Sequence, residues 1–527
     1  MQANAKAFDQ SGSAAQRPSI WSLIFVGAGL LLLVWLAFYN LTNYPVTWFD
    51  EGSHLHVPKA LVLYGVYADY SSDGFRYFGP TIGVGPTVML PVAASFKLFG
   101  IGLLQARLVM AAYLLATIAV FAYLARMLGG NKFAFVATAL VILTPGVGLV
   151  EYGRQVLGEV PGMFFLLAGM ALWFRGWGKQ GWLRLVAVGL LFGLSMVTKN
   201  QYLLVLGPTL LLAWLLNLLY YRLAPQRVFL VPGIIAGACF ALWQLYTVVY
   251  LGPATASENL QLLREATAGA ALAFSPSLMR RSLQELFSLK VYLAGIIPIL
   301  IYGAIVSIPK AESGQKWAIL YMLVVVNLVW YVTASVGWLR YAFPGLVIGG
   351  LFFARFFADL TGGFVAPTGL LRAVLRERQA LGANDALRLT GMIWLTLVLA
   401  VSFVATALEI VRPPMNAPVA MAAYMDQFVS TDAVVETWEP EMGFLTDHNY
   451  HYPPSGILAK AVSYMWLDTA PPSESYQLSD EDLPPFILVG TFSEWVRLYP
   501  DKLLDDHYRL MTKIGAYRLY TLDDNSS

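Results

Sequence analysis

The chain has 527 residues, of which 58% are hydrophobic and only 13% charged, with a mean hydropathy of +0.61 and a net charge of +2. An ordinary globular chain carries roughly 25% charged residues, so this composition reads as a polytopic α-helical membrane protein. The few basic residues are scattered rather than blocked, which argues against nucleic acid as a partner, and the single cysteine, Cys239, permits no intramolecular disulfide.

Met1 to Ser19 is polar, holds Lys6 and Arg17, and ends at a long apolar span, Trp21 to Asn40, without a small-residue cleavage site. This reads as a cytoplasmic tail (1–20) followed by a retained anchor, not a cleaved signal peptide. Apolar runs near spanning length follow at Leu104–Leu128, Phe133–Val150, Val160–Phe174, Trp182–Val197, Tyr202–Tyr221 and Val228–Leu251. Four more lie at Val291–Ile308, Trp317–Ala334, Phe343–Phe357 and Leu389–Val411. With about 20 apolar residues needed per crossing, the expectation is about 11 transmembrane helices.

Pro86–Phe99 is apolar but short, contains Pro91 and is closed by Lys97 and Phe99. Basic loop residues decide its status. If it does not cross and the N-terminus is cytoplasmic, then Arg126/Lys132, Arg175/Lys179/Arg184, Arg222/Arg227, Lys310/Lys316 and Arg372/Arg376/Arg378/Arg388 all fall inside, as the positive-inside rule requires. The segment is therefore expected to be re-entrant or surface-lying. The same parity puts loops 41–103 and 252–290 on the outer face of the plasma (inner) membrane. Within the second loop, Ser275-Pro276 marks a helix start, with Leu278, Leu283 and Leu286 opposite Arg280, Arg281 and Glu285. Residues 412–527 are also placed outside, as a compact α/β domain with strands expected at Ala433–Val435, Phe486–Val489 and Tyr517–Leu522. Residues 21–411 form the membrane domain.

Four groups on that outer face carry the chemistry. The first is Trp48-Phe49-Asp50-Glu51-Gly52-Ser53-His54, an acidic pair beside the bilayer, where ionisable groups are costly and tend to be functional. One of the pair suits a general base for a hydroxyl; an N-cap is the plainer explanation. Arg154 and Glu159-Val160-Pro161 follow, with Glu159 also explicable as a first-turn acid on a helix dipole. Lys199, in the Thr198-Lys199-Asn200 turn, sits against the positive-inside bias and is otherwise a snorkelling lysine. Arg340 and Tyr341, in Trp338-Leu339-Arg340-Tyr341, offer a planar fork suited to phosphate oxygens beside an aromatic that also serves a membrane belt. Arg76 is a further outer-face cation. His54 and His56 are read as hydrogen-bonding histidines. The alternative is a divalent metal ion on Glu51, His54 and Glu159, since Asp50 and His54 share a helix face at i, i+4.

The order of these elements, together with Gly85-Pro86-Thr87, Phe96-Lys97-Leu98-Phe99-Gly100 and Ala106-Arg107-Leu108, resembles the GT-C superfamily of integral-membrane glycosyltransferases. Protein O-mannosyltransferases and lipid A aminoarabinose transferases are the nearest likenesses, over nearly the whole membrane region. Aminoarabinose transferases usually read Lys-Pro-Pro where this chain has Gly85-Pro86-Thr87. The resemblance implies a polyprenyl-phosphate-linked sugar donor and an inverting transfer to a hydroxyl acceptor on protein, lipid or glycan. It makes Asp50 the base, with Glu51 and Glu159 orienting substrate and Arg340, Lys199, Arg154, Arg76 and Tyr341 around the donor phosphate. No cofactor is implied with certainty beyond the metal alternative. A lipid-linked glycan polymerase or ligase, or a non-catalytic transporter or scaffold, are the competing readings.

Overall fold

The structure is a computed structural model that describes residues 20–77, 83–270, 272–364, 382–467, 469–479 and 483–523. The tail through Ser19 and the loop arginines Arg372, Arg376 and Arg378 lie outside the described residues. Helix α1 (Ile20–Phe38) is followed by α2 (Phe49–Tyr64), the hairpin β1 (Ala68–Ser71) and β2 (Gly74–Tyr77), then α3 (Pro86–Phe99) and α4 (Leu103–Leu143). The bundle continues with α5 (Leu149–Tyr152), α6 (Glu159–Phe174), α7 (Trp182–Thr198), α8 (Gln201–Leu216), α9 (Arg227–Leu251) and α10 (Pro253–Ala270). It closes with α11 (Pro276–Leu286), α12 (Ile296–Ser307), α13 (Glu312–Ala334), α14 (Leu339–Leu360) and α15 (Ala383–Val411).

The apolar runs expected to cross are largely helical, except that Val291–Ile308 becomes helical only from Ile296. Leu104–Leu128 and Phe133–Leu143 are the two arms of α4, broken at Gly130, whose φ of 80° and ψ of −173° a side chain would resist, and the rest of Phe133–Val150 is a turn leading into α5. Among the described residues six helices are long and apolar enough to cross a membrane: α4, the Gln201–Tyr221 stretch that α8 begins, α9, α13, α14 and α15. The rest are shorter. At 1.5 Å per residue the 16 residues of α6 rise about 24 Å, less than the roughly 30 Å hydrocarbon layer. Pro86–Phe99 forms the 14-residue α3, packed against α2, α4 and α7. The core is a continuous set of aromatic and branched side chains, including Trp173, Phe192, Phe229 and Phe343.

The C-terminal region is built from α16 (Ala417–Phe428), β3 (Val434–Thr437), α17 (Pro440–Leu445), β4 (Asn449–His451), α18 (Ile457–Leu467), β5 (Phe486–Val489), α19 (Thr491–Trp495), α20 (Asp501–His507), β6 (Tyr508–Ile514) and β7 (Tyr517–Leu522). The sheet order is β4-β3-β5-β7-β6, with β4, β3 and β5 parallel and β7 and β6 antiparallel. Its apolar core is separate from that of the bundle.

Helix α2 joins the two regions. A Cβ on Gly52 would stand 2.2 Å from the backbone nitrogen of Glu441, so α17 lies directly on the α2 backbone. His56 Nε2 donates to Pro440 O at 2.6 Å. Lys59 Nζ donates to Gly443 O (3.0 Å) and Thr446 O (2.8 Å), neutralising the carbonyl end of α17. Because backbone cannot yield as a side chain can, Gly52→Ala should cost about 1–3 kcal/mol. The expected outcome is a lower melting temperature of the detergent-solubilised protein and faster protease cleavage between α15 and α16. Unchanged melting and cleavage would show that this contact does not hold the C-terminal region in place.

Candidate active site

The first turn of α2 carries Asp50 and Glu51 on different sides of the helix, since adjacent helical residues point about 100° apart. Asp50 faces the start of α14, where Arg340 Nη1 donates to Asp50 Oδ2 in an ion pair. The guanidinium is enclosed by aromatic faces, with its carbon 5.1 Å from the ring centre of Trp48, 4.6 Å from Trp338 and 5.5 Å from Tyr341. Burial alone would raise the Asp50 carboxyl, but Arg340 and then His54 outweigh it, so the group lies below the usual carboxylate range and is ionised.

Across the site, Glu159 at the head of α6 accepts from Lys199 Nζ, which enters from the turn between α7 and α8. Gly158 allows the approach: a Cβ there would meet the Lys199 side chain at 3.0 Å. Gly85 N donates to Thr198 O at 3.0 Å and a Cβ on Gly85 would stand 1.9 Å from Val197 O, so the Gly85-Pro86-Thr87 segment braces the Lys199 turn. His54 Nδ1 donates to Val156 O at 2.8 Å, which fixes the tautomer and leaves Nε2 as a lone-pair acceptor. Three buried polar atoms of this cluster make no hydrogen bond: Glu159 Oε2, Arg340 Nε and Ser53 Oγ.

Asp50, Glu159, Lys199, Arg340, Tyr341 and His54 are thus brought together. Three other sequence candidates are engaged elsewhere. Glu51 is fully buried and accepts from Arg107 Nε (2.9 Å) and Nη2 (2.5 Å) and from Val156 N (3.1 Å). Arg107 also donates to Leu41 O at 2.8 Å. Both Glu51 oxygens are therefore engaged within the protein, apart from the Asp50 cluster. Arg154 is likewise fully buried and donates to Leu36 O (2.7 Å), Tyr39 O (2.5 Å) and Tyr44 O (3.1 Å), capping the carbonyl end of α1. Arg76 pairs with Asp69 at 2.6 Å and covers the Tyr452 ring at 5.4 Å, in the contact between hairpin and sheet and away from the cluster. Glu51, His54 and Glu159 do not gather as metal ligands, and no group of three or more His, Cys, Asp or Glu among the described residues is arranged to hold an ion.

The sequence reading missed two features. Arg107 was visible as a lone cation near the start of a span, a position that demands a carboxylate partner. Trp466 and Trp495, from the C-terminal region, pack on Trp338 at 5.2 and 5.9 Å and so back the Arg340 enclosure. Nothing local in their sequence marks them.

The chain has the GT-C fold, a helical bundle followed by an α/β sheet region, and its apolar helices mark an integral, multi-pass membrane protein. The particular likenesses are structural. ArnT from Cupriavidus metallidurans bound to undecaprenyl phosphate superposes with a TM-score of 0.63 at 14% identity, over 96% of this chain and 99% of that one. The same enzyme in the apo state gives 0.62 at 15% identity, over 95% and 97%. The archaeal oligosaccharyltransferase AglB from Archaeoglobus fulgidus, in complex with an inhibitory peptide and a dolichol-phosphate, gives 0.55 at 11% identity, over 96% and 74%. No family model matches the sequence, and no curated protein is similar to it.

The site also sets a pH dependence. Burial, partly offset by Asp50, pushes the His54 imidazole down to about 4, against about 6.5 in an unfolded chain. Between those values the unfolded state binds a proton that the folded state refuses, so stability falls as pH drops through the window and is unaffected above it. The full loss is about 3 kcal/mol. Denaturation of wild-type protein and His54→Gln should therefore diverge below pH 6.5, with the variant lacking this acid-sensitive component. Parallel curves from pH 7 to 4 would refute the assignment.

Proposed function

We propose that the protein is a glycosyltransferase that moves a sugar from a polyprenyl-phosphate carrier to a hydroxyl acceptor on protein, lipid or glycan. The observation that carries this is the convergence of a carboxylate, Asp50, with two cations, Arg340 and Lys199, among buried polar atoms that lack a partner within the protein. Such atoms are expected where a polar substrate completes the hydrogen bonding. The lipid phosphates bound by the two structural relatives, undecaprenyl phosphate in ArnT and dolichol-phosphate in AglB, support a carrier of that class.

In this reading Asp50 Oδ accepts the acceptor hydroxyl proton as the acceptor oxygen attacks the anomeric carbon from the side opposite the phosphate, with inversion. The bond from anomeric carbon to phosphate oxygen breaks, and the lipid phosphate leaves with its electron pair. Arg340 and Lys199 hold the charge that develops there, a contribution on the order of a few kcal/mol per contact. Glu159 orients Lys199, and Tyr341 flanks the phosphate. The Asp50–Arg340 pair gives an order to events. While Arg340 holds Asp50, the carboxylate is a weak base. A phosphate dianion or diester that takes over the guanidinium fork relieves that pairing, so donor binding raises the basicity of Asp50 where the acceptor arrives.

The basic loops favour an N-terminus in the cytoplasm, with the cluster and the C-terminal domain (412–527) outside and the transferase domain spanning 21–411. Proteoliposomes carrying a labelled polyprenyl-phosphate sugar test the function. Asp50→Asn should lower transfer by about 10²–10⁴-fold while keeping donor binding. Arg340→Gln should weaken donor binding and transfer together. Wild-type rates in Asp50→Asn, or no transfer by the native protein across a broad donor panel, would overturn the proposal.

A further inference from the structure

A cavity of about 150 Å³ opens beside the cluster, between the end of α9, the start of α10 and the segment Gly83-Val84-Gly85. Its amide and aliphatic-hydroxyl side chains are Asn200, Gln244, Thr247 and Asn259, with Trp243 and Tyr67 also in the wall. Among the described residues, no lining residue is Asp, Glu, Lys, Arg or His. The Asn200 amide caps no helix N–H. Asn259 Nδ2 donates to Tyr77 O at 3.0 Å, which leaves its Oδ1 as an acceptor, and Thr247 Oγ1 donates to Trp243 O at 3.1 Å, which leaves its lone pairs.

Only one layer of chain separates this space from the reacting groups. A Cβ on Gly83 would stand 3.5 Å from His54 Nε2, and Asn200 follows Lys199 in the same turn. The lining chemistry discriminates among what a transferase handles. A phosphate, uronate or ammonium group would enter without a counter-charge and lose its hydration, a cost of several kcal/mol. A prenyl chain would bury four amide or hydroxyl side chains against hydrocarbon. A ring carrying several uncharged hydroxyls satisfies them and can lay its C–H face on an indole.

We propose that this cavity binds a neutral monosaccharide ring, belonging to either the donor or the acceptor. The proposal rests on the transferase reading and narrows it to uncharged sugars, because Asn200, Gln244, Thr247 and Asn259 recognise hydroxyls and no charged side chain lines the cavity among the described residues.

Saturation-transfer NMR on the full-length protein in nanodiscs, with methyl hexosides and pentosides as probes, tests binding without turnover. Neutral glycosides should give signal at least about tenfold stronger than glucosamine, glucuronate or a sugar phosphate. Gln244→Ala, on an exposed residue with no structural duty, and Asn259→Ala should each abolish most of it, while Asp50→Asn should leave it intact. In the transfer assay the same two variants should raise KM for the donor if the ring is the donor's, and for the acceptor if it is the acceptor's, with little change in kcat. No neutral-glycoside signal, equal signal from charged sugars, indifference to both variants, or displacement by a sugar-free polyprenol would each overturn the proposal. Glycoside binding that persists where no transfer is found with any lipid donor would sink the transferase reading and leave the sugar site standing.

Discussion

The ion pair between Glu51 and Arg107 holds the cluster end of the helical bundle together. Both groups are fully buried, and two charges removed from water are tolerable only when paired and well hydrogen-bonded. They are: Glu51 accepts two guanidinium bonds and the Val156 amide, and Arg107 also donates to Leu41 O and Thr47 Oγ1. Four stretches of chain that are far apart in sequence, the α1–α2 loop, α2, α4 and the segment before α6, are thereby fixed to one point. Removing either partner alone would strand a charge, at a cost of roughly 3–5 kcal/mol. Arg154 extends the same anchoring to α1 through three backbone carbonyls.

That anchoring is what lets the neighbouring residue be poised differently. Asp50 is one position from Glu51, yet its carboxylate meets a guanidinium with a donor to spare, Arg340 Nε. Glu159 likewise meets Lys199 through one oxygen and leaves the other unpaired. A saturated ion pair gives rigidity, and an unsaturated one gives a place for a polar ligand to compete. The two kinds stand side by side on the first turn of α2, and the helix twist keeps them from sharing partners.

This division explains how much was legible beforehand. Hydropathy located the helices of the bundle, six of which among the described residues are long and apolar enough to cross a membrane, and Pro86–Phe99 is the short helix α3. Asp50, Glu159, Lys199 and Arg340 were recognisable because each is an ionisable group at a span end with no local reason to be there. The same logic selected Glu51 and Arg154, and it could not separate them from the others, because whether a buried charge is saturated depends on backbone carbonyls and amides that no side-chain pattern reveals. In the C-terminal region the expected strands near 433–435, 486–489 and 517–522 are present as β3, β5 and β7. Strand β4 is only three residues, and β6 carries Arg509 and Lys513 at the sheet edge, where charge protects against unwanted pairing; both lack the apolar alternation by which strands are read. Helix α10 was read as loop because Pro253–Ala270 is too polar to signal a span.

The sheet region reaches the cluster by two routes, and their electrostatics differ. Trp466 and Trp495 back Trp338, which faces Arg340, so aromatic surface from the C-terminal region keeps the guanidinium away from water and sharpens its attraction for anions. On the other route α17 lies against Gly52, bringing Glu439 and Glu441 beneath a helix that already carries two carboxylates. Further negative charge there would weaken the field that keeps Asp50 ionised. Burial pushes the Glu439 carboxyl up, and pushes Glu441 well above the usual range with the Glu439 charge adding to it, so the proton is retained where a third carboxylate would do harm. Glu439 is held by Phe492 N, Ser493 N and the Ser493 hydroxyl, and Glu441 by the Tyr517 hydroxyl, which ties both acids to the sheet rather than to the cluster. The C-terminal region therefore covers the Arg340 side of the cluster with aromatic surface while adding little charge to it, so the local electrostatics are set by Asp50, Glu159, Lys199 and Arg340.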